Sequence, residues 1–148
     1  MSTRTKILAA VAVLAVVVIV LSRGEEPSAR LQGLRSDPMA SYMPPSGTLV
    51  DTDSQNEGTS LGKPVSASYT RMFALGADAA AQALDHAGEA AVAAGWKIGE
   101  RDPRAVVAEK TLPSGRAELV VGLFRDSLLL PKDVTPPALQ ISLRGLGS

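Results

Sequence analysis

Residues Ala105 to Phe124 read AVVAEKTLPSGRAELVVGLF, two apolar-rich runs separated by Leu112-Pro113-Ser114-Gly115. Proline suits the second position of a type I turn and glycine the left-handed residue of a bulged hairpin. Ala105 to Leu112 and Arg116 to Phe124 are therefore expected to pair as antiparallel strands. Ala117, Leu119, Val121 and Leu123 share one face under the two-residue period of a strand. A three-residue loop, Pro113 to Gly115, sets Lys110 across from Glu118, a favourable pair, whereas a loop longer by one residue is expected to set Glu109 against Glu118.

The flanking segments extend this sheet. Ala138 to Arg144 alternates Leu139, Ile141 and Leu143 with Gln140, Ser142 and Arg144, and Ser66 to Leu75 places Ala67, Tyr69, Phe73 and Leu75 on one face with Arg71 as the odd member. Between them Asp78 to Ala94 has a helical pattern, with Asp78 as the expected N-cap and Gly95 as the stop. At ~100° per residue Asp78, Gln82, Asp85 and Glu89 form one stripe, and Ala80, Leu84, Ala87, Ala91 and Ala94 lie opposite. The alanine face suits close approach to a sheet. Earlier, Pro44-Pro45-Ser46-Gly47 is a turn launching a short strand at Thr48 to Thr52, and Asp51 to Gly62 is expected as an exposed polar loop. The fold class this implies is α+β: an N-terminal transmembrane helix, a flexible linker, and a small two-layer sandwich of one helix on an antiparallel sheet.

The transmembrane element is Ile7 to Leu21 (ILAAVAVLAVVVIVL), fifteen residues without a polar side chain, bounded by Arg4, Lys6, Ser22 and Arg23. Fifteen residues cover ~23 Å of a ~30 Å hydrocarbon core, so Thr5 and Ser22 are drawn in while the basic flanks snorkel. A cleaved signal peptide shares the basic start and short apolar run, but Val20 and Ser22 match its cleavage site poorly. Basic residues are nearly balanced across the span; Glu25 and Glu26 dilute those that follow it, and the favoured orientation puts the tail inside. The expected organisation is residues 1–22 as cytoplasmic tail and anchor, 23–37 as flexible linker, and 38–148 as an extracytoplasmic domain. The alternative is a secreted protein released by signal cleavage.

Gly58 to Phe73 (GTSLGKPVSASYTRMF), the Pro44 to Gly47 turn and Ala94-Gly95-Trp96 together resemble uncharacterised small secreted or membrane-anchored proteins of actinobacteria. Ten arginines against five lysines and the alanine richness are compatible with a GC-rich genome. The resemblance implies an export or anchor segment followed by an extracytoplasmic α/β domain, and brings no catalytic residue with it. Many such relatives carry a lipidated cysteine, which this chain lacks.

Composition removes several chemistries. The chain of 148 residues has no cysteine and one histidine, which excludes disulfides, thiol nucleophiles, thiolate metal sites and multi-histidine centres. Fifteen basic residues against fifteen acidic ones argue against a nucleic-acid partner. Gly58 to Pro64 falls one residue short of a phosphate-binding loop, and proline replaces the hydroxyl residue after Lys63. His86 lies near Asp85 and Glu89, but adjacent helical residues do not face each other. Asp51 and Asp53 begin like a calcium loop that the following residues do not complete. No catalytic, cofactor or metal residue is therefore assigned.

Two features point to contacts. Arg71 on an apolar strand face must reach a rim, pair with a carboxylate, or hold a ligand anion. Leu128, Leu129 and Leu130 sit between strands where polar residues are usual, and either tuck under the sheet or form a contact patch. The expected role is that of a single-pass membrane protein acting non-catalytically through an envelope protein partner, anchored in the bilayer by Ile7 to Leu21. The alternative is a small-ligand or lipid-binding module with Arg71 at the mouth of an apolar pocket.

Overall fold

The computed structural model describes residues 26–126, 128 and 130–147. Ile7 to Leu21 and the cleavage and orientation expectations attached to it lie outside these residues. No helix among the described residues is long and apolar enough to cross a membrane.

The elements in chain order are α1 (Ala29–Ser36), β1 (Gly47–Gln55), β2 (Gly58–Ser60), β3 (Lys63–Val65), β4 (Ser68–Leu75), α2 (Ala80–Ala93), β5 (Lys97–Arg101), β6 (Ala105–Leu112), β7 (Gly115–Phe124) and β8 (Ala138–Gly145). Six strands form one antiparallel sheet in the order β1-β4-β8-β7-β6-β5, while β2 and β3 form a separate hairpin. The fold is α+β, an antiparallel sheet with helix packed on it. Two helices make that layer rather than one: α2 packs on β5, β6 and β7, and α1 on β4 and β8.

Helix α2 turns inward the face its period requires. Ala80, Ala83, Leu84, Ala87, Gly88 and Ala91 are buried, whereas Asp78, Gln82, Asp85 and Glu89 are exposed. Its C-terminus is closed by Gly95 at φ +89, with the Trp96 amide donating to the Ala91 carbonyl and the Gly95 amide to Val92, the paired bonds of a Schellman motif. The start differs from expectation. A 3-10 turn, Ala77–Ala79, precedes the helix, and neither element has a side-chain cap. Asp78 lies within that turn and does not cap.

The linker expectation fails from Ala29 onward. Ser28 caps α1, accepting from the Leu31 amide, and Leu31 and Leu34 are buried in the main core. A segment with two apolar residues three apart looks like tether in sequence, yet those two lie on one face of a helix and suffice to dock it. Gly33 permits the approach, since a Cβ there would collide with the Ser114 side chain at the β6–β7 turn. The folded unit therefore begins before Pro38.

The β6–β7 register also departs from expectation. Leu112 pairs with Gly115, Lys110 with Ala117 and Glu109 with Glu118, so the loop is the two residues Pro113 and Ser114. Parity decides this. Val106, Ala108 and Leu112 are buried with Ala117, Leu119, Val121 and Leu123, and a three-residue loop would set inward residues of one strand against outward residues of the other. The facing glutamates are each neutralised from the side: Arg116 bonds Glu109 at 2.8 Å and Arg144 bonds Glu118 at 2.5 Å.

The expected loop Asp51 to Gly62 is largely strand. β1 continues to Gln55 and the β2–β3 hairpin follows, although the residues are exposed as expected apart from the half-buried Asn56. β5, a mostly exposed edge strand, had no amphipathic signal.

Candidate functional site

Arg71 lies on β4, one strand in from the edge, facing the helix layer. It is 7% exposed. Its Nη1 donates to the carbonyls of Ala40 at 2.9 Å and Tyr42 at 2.7 Å. Its Nη2 donates to the Met43 sulfur at 3.3 Å, and the guanidinium lies 4.8 Å from the centre of the Phe73 ring. The rim and the ion pair are both set aside: the side chain stitches the Pro38–Met43 segment to the sheet through backbone acceptors. This is a solution open to arginine because its planar fork serves several acceptors at once.

Beside it, the Tyr42 hydroxyl is buried without a hydrogen-bond partner among the described residues. Burial foremost, and the negative charge of Glu89, push its ionisation above the ordinary value of 10.0. It stays a neutral phenol.

Leu130 is on the other side of the sheet. Leu130 packs with Val134 against Met72, Ala138 and Phe124, and Met72 points away from Arg71 because successive strand residues face opposite ways. Leu128 is 87% exposed; Leu129 lies outside the described residues. The structure thus separates the residues singled out in sequence, placing Arg71 inside, Leu130 half-tucked and Leu128 in solvent.

The remaining depressions are shallow. One of about 360 Å³ at the start of α2 is bordered by Ser46, Asp78, Gln82 and His86. Another, about 340 Å³, is bordered by the Asp85–Arg101 ion pair. Arg71 lines neither. No group of three metal-ligating side chains occurs among the described residues.

The most accessible feature is the first strand, of which the sequence marks only Thr48 to Thr52. β1 is an edge strand of nine residues, and every residue from Thr48 to Gln55 is exposed. Leu49 and Val50 are 42% and 43% exposed, with Met43 nearby in sequence at 50%. Asp51 pairs with Met72 and Asp53 with Thr70, so both carboxylates stand on the face away from the helices. A bulge between Leu49 and Asp51 interrupts the register, and β5 at the opposite edge has one between Ile98 and Glu100. Bulges and charges of this kind discourage indiscriminate pairing at an edge. Asp51 and Asp53 were visible in sequence as a failed calcium loop; the turn before it marked the strand at Thr48 to Thr52, but the alternation that would have carried it on to Gln55 is absent because neither face of β1 is buried.

Comparison with protein-family models, curated sequences and solved structures returned no match.

Proposed function

We propose that the protein is a single-pass membrane protein whose extracytoplasmic domain acts non-catalytically, by contacting another protein of the cell envelope. The observation that carries this reading is the β1 edge: nine residues of strand with no strand on their outer side among the described residues, exposed Leu49 and Val50, and two carboxylates beside them. An extended partner segment adds to such an edge through main-chain hydrogen bonds, and side chains supply selectivity. The carboxylates ask for lysine or arginine on the partner. They also disfavour a second copy of this chain, because antiparallel self-pairing centred on Asp51 sets that carboxylate against its own counterpart, and pairing centred on Thr52 sets Asp51 of each copy against Asp53 of the other.

The small-ligand alternative is weakened by Arg71, whose donors are engaged by main-chain carbonyls and a thioether. The test is photocrosslinking in native membranes with benzoylphenylalanine at Leu49 or at Val92, which is also exposed (57%) but on α2. The expected result is a protein adduct of defined mass from position 49, absent from position 92 and lost with Asp51→Lys and Asp53→Lys. Equal adducts from both positions, or an adduct indifferent to the charge reversals, would overturn the reading.

A further inference from the structure

We infer that the tip of the β2–β3 hairpin, Leu61 backed by Lys63, rests on the lipid surface of the bilayer that holds Ile7 to Leu21; this deepens the membrane reading and rests on it. Leu61 is 101% exposed, the most exposed of the large apolar residues among those described. It also occupies the wrong conformation for its type. Ser60 pairs with Lys63, leaving a two-residue turn in which Leu61 and Gly62 have φ of 50 and 76. Two positive φ values in a two-residue hairpin loop favour Asn, Asp or Gly at the first position, and a branched aliphatic residue there is disfavoured. Neither packing nor backbone preference accounts for leucine. An outlier of this kind, held out into solvent, is a reason to look for a contact outside the domain.

Position supplies that contact. The incoming chain is fixed where it meets the domain: the Ser28 amide donates to Asn56 Oδ1 at 2.8 Å, the Ser28 hydroxyl to Glu57 Oε2 at 2.5 Å, and Asn56 Nδ2 to the Glu26 carbonyl at 2.9 Å. From Leu21 to this clamp there are only the seven residues Ser22 to Ser28, a reach of at most ~24 Å. The hairpin leaves the domain immediately after Glu57, and its three-residue strand carries the tip only ~10 Å further. The tip is therefore within reach of the surface to which the chain is tied. Lys63 is exposed and makes no ion pair among the described residues, which suits a cation at the headgroup level beside an inserted apolar side chain. Leu128 is the natural control. It follows the far end of β7, about ten residues of strand from the clamped end, or ~33 Å.

The chain has no native cysteine, so Leu61→Cys and Leu128→Cys in the full-length protein can each be labelled with bimane. Both sites are exposed and leave the core intact. The labelled proteins are reconstituted into phosphatidylcholine–phosphatidylglycerol vesicles containing a spin-labelled lipid. The expected result is a blue shift and loss of emission at position 61, with position 128 unchanged from water. Quenching at 61 no greater than at 128, in protein that floats with the vesicles, would overturn this inference alone. Protein that does not float with the vesicles would overturn the anchor reading and this inference with it.

Discussion

Lys110 Nζ lies 2.7 Å from Asp37 Oδ2, and the aspartate side chain is only 1% exposed. The carboxylate is fully used: Oδ1 accepts from the Met39 amide and from Trp96 Nε1, each at 2.9 Å. The ammonium also donates to the Ala94 carbonyl at the end of α2. One buried pair thus joins the end of α1, the end of α2 and strand β6.

Breaking that pair is expected to be costly in a way that a surface pair is not. Lys110→Met leaves a buried carboxylate without its cation and should destabilise by about 3 kcal/mol. Glu118→Gln, which removes a bond to a half-exposed arginine, should cost less than ~1 kcal/mol. Urea unfolding followed through Trp96, the only tryptophan, measures both. Similar costs for the two variants would show that the Asp37–Lys110 pair contributes no more than a surface contact.

Glu57 gives a pH signature at the clamp. The Ser28 hydroxyl, and secondarily the residue's own backbone amide, hold its carboxyl below the ordinary value of 4.5. A carboxyl whose folded value is depressed stabilises the fold above its unfolded value and loses that contribution as pH falls through the folded one. A carboxyl titration by NMR should give Glu57 a midpoint under 4.5, and Ser28→Ala should move it upward. An unmoved midpoint would mean that the hydroxyl does not hold this carboxylate.

On α2, Ala87 and Ala91 are completely buried against the sheet. Ala87→Leu should cost ~1 to 3 kcal/mol by overpacking, and half-buried His86→Ala should be nearly neutral. Gly88 differs from both. A Cβ there would approach Arg101 Nη1 at 3.3 Å, the far end of an exposed side chain that can move. Gly88→Ala should therefore gain most of the ~1 kcal/mol of helix preference. Denaturation midpoints rank the three; a silent Ala87→Leu would invalidate the packing described for this face.

What the sequence disclosed and what it concealed follow from where burial falls. Where one face is buried and the other wet, as in α2, β7 and β8, the period identifies the element and its inward residues. β6 was ambiguous because Val106 and Val107 are both apolar and Lys110 sits on the inward side with Ala108 and Leu112. An inward lysine spoils the alternation, and its partner Asp37 is 73 residues away. α1 is short and carries only two core residues; its docking depends on the Ser114 turn and the Asn56–Glu57 corner, neither adjacent in sequence. Edge strand β1 has no buried face and so no period. Of the contact residues, Arg71 stood out by type, but its backbone acceptors could be found only from the fold.

Arg71 gives the last expected outcome. Replacing it with leucine keeps an aliphatic side chain on the inward face, yet leaves the Ala40 and Tyr42 carbonyls without their donor in a buried setting. Each unsatisfied acceptor costs ~1 to 3 kcal/mol, so Arg71→Leu should destabilise by about 3 kcal/mol. Arg71→Lys should recover part of this, because an ammonium can still donate to a carbonyl but lacks the planar group that reaches both carbonyls, the thioether and the Phe73 face together. Photocrosslinking from Leu49 should survive Arg71→Lys under conditions where the domain remains folded. If Arg71→Lys instead kept full stability while abolishing the adduct, the guanidinium would be making a contact with the partner, and its assignment as a strut between sheet and the Pro38–Met43 segment would have to be withdrawn.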